Sequence, residues 1–91
     1  MRFEWDDDKA RSNTVKHSIS FEEAVTVFAD PYLLFTEDFL HSLGEEREWA
    51  IGMVESGLVV VVVFTVRGDS FRIISARIAT TRECQEYESG S

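Results

Sequence analysis

The 91 residues carry 9 Lys and Arg against 17 Asp and Glu, a formal net charge of −8, and 44% of positions are apolar. That length supports one thin core, so residues 1–91 read as a single domain, and the lone cysteine, Cys84, excludes an internal disulfide and points to a reducing compartment. The longest apolar run, Leu58 to Phe64, is too short to cross a bilayer and the N-terminus lacks a signal-peptide pattern, so a cytoplasmic protein without a membrane segment is expected.

In chain order, Arg2 to Trp5 alternates polar and apolar residues and predicts a short strand. Asp6 to Asp8 offer N-cap groups and negative charge for a helix from about Asp7 to Lys16. This helix is poor in apolar residues, and Lys9, Asn13 and Lys16 fall on one of its faces. Ser20-x-x-Glu23 is a capping-box pattern, and Phe21, Ala24, Val25 and Phe28 form an apolar stripe that ends at Asp30-Pro31. Strands are predicted at Tyr32 to Thr36 and Arg47 to Val54, with a polar loop from Glu37 to Glu46 between them. Leu58 to Val66, nearly all apolar, predicts a central strand covered on both faces. Arg67-Gly68-Asp69-Ser70 turns the chain into a returning strand, Phe71 to Arg77. Thr80-x-x-Glu83, a second capping-box pattern, opens a short helix through Tyr87. The expected fold is α+β: an antiparallel four- to five-stranded sheet, two N-terminal helices packed on one face, and a short C-terminal helix.

The acidic charge is unevenly spread. Residues 1–56 hold 5 basic and 13 acidic side chains, whereas residues 57–91 hold 4 of each. A local cationic surface on an acidic body is therefore compatible with a phosphate-bearing ligand, and the acidic part with a basic protein partner. His17 and His41 are far apart, lack an H-x-x-x-H pattern, and have no second cysteine nearby, so no metal set is expected. A glycine-rich phosphate loop is also missing from the sequence. Cys84 lies beside Glu83 and near Glu86, which disfavours a nucleophilic thiolate.

The remaining candidates are basic. Arg67 sits at the hairpin turn, Arg72 and Arg77 lie on the returning strand, and Arg82 lies in the last helix. Arginine suits phosphate because its planar fork donates two parallel hydrogen bonds and keeps its charge. Strict alternation places Arg77 with Phe71, Ile73 and Ser75 on one face, and Arg72 with Ile74 and Ala76 on the other. His17 and His41 have the chemistry of proton-transfer groups. A helix end and a polar loop, respectively, are also sufficient reasons for their presence.

Phe3-Glu4-Trp5-Asp6, Lys9, Asn13, Lys16-His17 and Ile19-x-Phe21-Glu22-Glu23-Ala24 resemble the start of the BrnT toxin family. The likeness continues through Val27-Phe28-Ala29-Asp30-Pro31, His41-Ser42-x-Gly44-Glu45-Glu46-Arg47 and Ile51-Gly52. It ends with Arg72-Ile73-Ile74-Ser75-Ala76-Arg77-x-Ala79-Thr80-x-x-Glu83-x-x-Tyr87-Glu88, so it spans nearly the whole chain.

The resemblance implies a RelE-like fold and the toxin half of a type II toxin–antitoxin pair. It implies an endoribonuclease that needs no metal or other cofactor and arrests translation, acting on RNA either free or on the ribosome. The implied partner is a BrnA-like ribbon-helix-helix antitoxin, through which alone the toxin would meet DNA. For such chemistry Arg77 is the first choice as phosphorane clamp and Arg67 the second cation. His41 or Glu46 would be the base and Lys16 or His17 the acid, with Lys9, Arg72 and Tyr87 contacting substrate. A non-catalytic corepressor that binds the antitoxin is the first alternative, and an unrelated sheet-based interaction module the second.

Overall fold

A computed structural model describes residues 2–37 and 47–90; His41 and Glu46 lie outside the described residues. The elements are strand β1 (Arg2–Glu4), helix α1 (Asp7–His17), helix α2 (Phe21–Ala24) running into a 3₁₀ turn (Val25–Ala29), then strands β2 (Leu34–Glu37), β3 (Glu48–Met53), β4 (Val59–Arg67) and β5 (Ser70–Ile78), and helix α3 (Thr81–Ser89). They match the sequence-based elements except that the second helix tightens to 3₁₀ after one turn. Val25, Thr26 and Val27 are β-branched there, and the Thr26 hydroxyl donates to the Glu23 carbonyl at 2.7 Å.

The five strands form one sheet in the order β1-β5-β4-β3-β2. Strands β2 to β5 pair antiparallel, as expected of segments joined by turns. The sheet is nevertheless mixed rather than purely antiparallel, because β1 runs parallel to β5 with Phe3 opposite Phe71 and Glu4 opposite Arg72. No tight turn joins β1 to its neighbour, so hairpin reasoning does not set its direction. At the β4–β5 hairpin, Arg67 pairs with Ser70 and leaves a two-residue turn in which Gly68 has φ 59°, a value glycine adopts without strain.

One sheet face carries α1, α2 and the 3₁₀ turn. Ile19, Phe21, Ala24 and Val27 pack there against Ala50, Val60, Val62, Phe64, Ile73 and Ala76. The rings of Phe28, Phe64 and Phe71 meet with centroids 4.7 to 5.3 Å apart. Gly52 lets the 3₁₀ turn approach, since a Cβ there would lie 2.9 Å from Leu33 Cδ1 and 3.0 Å from Val27 Cβ. The opposite face has a smaller cluster of Ile51, Val61 and Tyr87 with Leu34, Trp49, Val59 and Ala79. The start of β4 is therefore covered on both sides, as its unbroken apolar run predicts.

Helix α1 is attached differently. Its only buried residue is Asn13, whose amide Nδ2 donates to the Ala76 carbonyl at 2.8 Å while Oδ1 accepts from the Ala76 N–H at 3.2 Å. Strand β1 satisfies the first part of the β5 edge, and one asparagine side chain satisfies it again at Ala76. Among the described residues no helix is long and apolar enough to cross a membrane.

Candidate nucleic-acid interface

The pairing of β4 with β5 slips at Val63/Phe64: Val63 pairs with Ser75 but Phe64 with Ile73, leaving Ile74 as an extra residue. This bulge reverses the phase of the strand. Ile73 and Ala76, three positions apart, both lie in the core beneath the helices, at 1% and 0% exposure. Thr65 pairs with Arg72, Val63 with Ser75 and Val61 with Arg77, and these alternate β4 positions share one face. Arg72 and Arg77 therefore lie on the same face, away from α1 and α2, and not on opposite faces as strict alternation suggests. The β4 alternation brings Arg67 to that face as well.

Arg77 is held tightly. Its Nη1 and Nη2 donate to the two carboxylate oxygens of Glu83 at 2.7 and 2.9 Å, and its guanidinium lies 5.6 Å from the centroid of the Trp49 ring. Glu83 also accepts from the Thr80 N–H at 2.8 Å while its own N–H donates to Thr80 Oγ1, so the α3 capping box is complete. The box sets the position of Glu83, and Glu83 sets that of Arg77. The N-terminal counterpart is half used: Ser20 accepts from the Glu23 N–H, but the Glu23 carboxylate accepts from the Ser56 hydroxyl.

The Arg77 hydrogen bonds, aided by the Thr80 N–H against the cost of burial, pull the Glu83 carboxyl down from 4.5 to about 2. A depressed folded pKa stabilises the fold above the unfolded value of about 4.5, and the contribution vanishes as pH falls toward 2. Allowing for the 32% exposure of the Arg77 side chain, it is on the order of 2 kcal/mol at neutral pH. Glu83→Gln, which keeps a cap acceptor, should lose that amount at pH 6 and only about a quarter of it near pH 2.5, as read by urea unfolding. An equal loss at both values would mean the pair does not carry the effect.

Tyr87 anchors the other end of α3. It is 7% exposed, and its hydroxyl donates to Asp30 Oδ2 at 2.5 Å. That bond, with burial, pushes its pKa up to about 12. Asp30 also accepts from the Met53 and Tyr32 N–H groups. With ring and hydroxyl both engaged inside the fold, Tyr87 positions α3 and presents no open stacking surface.

The other candidates gather beside the bulge. Lys9, Lys16 and His17 line a shallow depression of about 190 Å³ with Ser12, Asn13, Ile74 and Ser75. Asn13 fixes α1 to β5 so that Lys9 and Lys16 flank the extra residue. Arg72 is less committed than Arg77: its Nη1 lies 3.8 Å from Glu4 Oε1, with both side chains more than a third exposed. Three further residues on this face had no assigned role in the sequence-based reading. Trp49 supports Arg77. Arg47 precedes β3, whose register continued by one residue would set it opposite Thr65, and among the described residues Arg47 Nε and Thr65 Oγ1 are both buried without hydrogen-bond partners. Isolated in an apolar run, the Thr65 hydroxyl is the one signal of these that the sequence offers.

Fold and site define a small mixed-sheet α+β domain with one arginine-bearing sheet face and a cationic depression at its edge. The family described as the ribonuclease toxin BrnT of type II toxin–antitoxin systems matches residues 5–83, and the chain belongs to it. The crystal structure of the Brucella abortus ribonuclease toxin, BrnT, superposes with a TM-score of 0.69 over 89% of this chain and 99% of that one, at 23% identity, a likeness of fold. No curated protein matches the sequence.

Proposed function

We propose that this chain is an active endoribonuclease toxin that cleaves RNA by metal-independent attack of a 2′-OH, arrests translation in the cytoplasm, and is neutralised by a BrnA-like ribbon-helix-helix antitoxin. The observation that carries this reading is the arginine-bearing sheet face in a member of a ribonuclease toxin family. The kinship with RelE-type toxins belongs to the same proposal.

In this chemistry the 2′ oxygen bonds to phosphorus, its proton passes to a base, and the 5′ oxygen leaves with a proton from an acid. Charge gathers on the phosphorane oxygens, where fixed cations stabilise it most. Arg72 is the cation best placed to hold the phosphate, because Glu4 engages it only at 3.8 Å, and Arg67 is the second. Arg77, forked onto Glu83, acts as a positioning residue that holds α3 and Trp49. Lys16 or His17 supplies the acid from the depression at the bulge, Lys9 contacts the backbone of the substrate, and His41 or Glu46 supplies the base.

Expression alone in a bacterial host should arrest growth, with co-expression of the partner encoded beside it restoring growth. Stable complex formation without any arrest would replace this reading by that of a non-catalytic corepressor, which the net charge of −8 favours.

A further inference from the structure

We propose that the Thr65 hydroxyl, between Arg47 and Arg72, is a dedicated phosphate donor of the RNA site; this rests on the ribonuclease reading and names an anchoring group of that same site. Strand β4 reads Val59-Val60-Val61-Val62-Val63-Phe64-Thr65-Val66, and valine has the shape of threonine without its hydroxyl. Thr65 is 5% exposed, and its Oγ1 has no hydrogen-bond partner among the described residues. A buried unmade hydrogen bond is costly, and six of the seven other residues in that run are the valine that would avoid it.

The surroundings indicate what the hydroxyl awaits. Thr65 pairs with Arg72 on β5, and the register Glu48–Phe64 continued by one residue sets Arg47 opposite Thr65 on the other side. Arg47 Nε is likewise buried without a partner among the described residues. Arginine positions thus stand in register on both sides of one hydroxyl, in a row crossing three strands spaced about 4.8 Å apart. Such a row of donors fits an oxyanion whose oxygens point in several directions, as in a phosphodiester, better than the two coplanar oxygens of a carboxylate. The same face leads past Ser75 to the Lys9, Lys16 and His17 depression, which continues the cationic path an RNA backbone requires.

The test compares wild type, Thr65→Val and Thr65→Ser for binding a 2′-O-methyl oligoribonucleotide, which keeps the phosphates but resists cleavage, and for cleaving the unmodified RNA. Loss of a hydrogen bond to a charged group weakens binding by roughly 10- to 150-fold, so Thr65→Val should bind and cleave that much less well. Its thermal midpoint should stay level or rise, and Thr65→Ser should bind close to wild type. Wild-type cleavage with an unchanged Thr65→Val removes the subsite and leaves the ribonuclease reading standing. Binding without cleavage by wild type, weakened in Thr65→Val, removes the ribonuclease reading and keeps the subsite. A wild type that binds no oligonucleotide overturns both. Equal losses in Thr65→Ser and Thr65→Val, a lowered midpoint in Thr65→Val, or a loss confined to antitoxin binding would each overturn the assignment.

Discussion

Replacing Asn13 by alanine should destabilise the protein by about 3 kcal/mol, lowering the thermal midpoint by roughly 12 to 24 °C. The side chain is 7% exposed and makes three hydrogen bonds: Nδ2 donates to Ala76 O at 2.8 Å and to Ile19 O at 3.2 Å, and Oδ1 accepts from Ala76 N–H at 3.2 Å. Alanine would leave the Ala76 donor and acceptor unpaired at a sheet edge beneath α1. That helix has no other buried residue, so no remaining contact of comparable strength fixes it there. The neighbouring Lys9→Ala and Lys16→Ala should shift stability by no more than about 0.5 kcal/mol, as surface changes do. Thermal unfolding followed by circular dichroism separates these cases, and an Asn13→Ala midpoint within a few degrees of wild type would contradict the role given to Asn13.

The second large effect concerns activity. Arg72→Ala should lower kcat/KM for RNA cleavage by about 10²- to 10³-fold, the usual cost of removing one fixed group that stabilises transition-state charge. Its stability should change little, because the Glu4 contact at 3.8 Å is long and exposed. Arg77→Ala should behave differently. It strands the Glu83 carboxylate and frees α3, so stability and activity should fall together. The contrast separates a residue that touches substrate from one that holds the site in shape.

The element order could be read from the sequence because each element carries its own signal. The Thr80–Glu83 capping box formed in full, and the Leu58 to Val66 run proved to be the central strand. The parallel pairing of β1 was not legible, since three residues without a connecting turn fit either direction. The bulge mattered more. Adjacent Ile73 and Ile74, followed by Ala76, break the strict alternation, but only the pairing with β4 shows that Ile74 is the extra residue. With that one residue assigned, Arg72 and Arg77 move from opposite faces to a shared one. The fork between Arg77 and Glu83 was equally hidden, because a capping glutamate is legible from its spacing while its second partner, across a turn, is not. The Thr65 hydroxyl stands out in its apolar run, but a threonine among β-branched residues is also ordinary strand chemistry, and its burial without a partner among the described residues is not legible there.

The central claim, that this face cleaves RNA through the 2′-OH with Arg72 on the phosphate, meets its most direct test in one cleavage assay. Purified wild type and Arg72→Ala, each in excess EDTA, are given an oligoribonucleotide and the same sequence with 2′-deoxy sugars. Wild type should cut only the ribonucleotide, leaving a 2′,3′-cyclic phosphate, and Arg72→Ala should cut it at least 100-fold more slowly. Cleavage that requires an added metal, that proceeds on the deoxy substrate, or that is untouched by Arg72→Ala would contradict it.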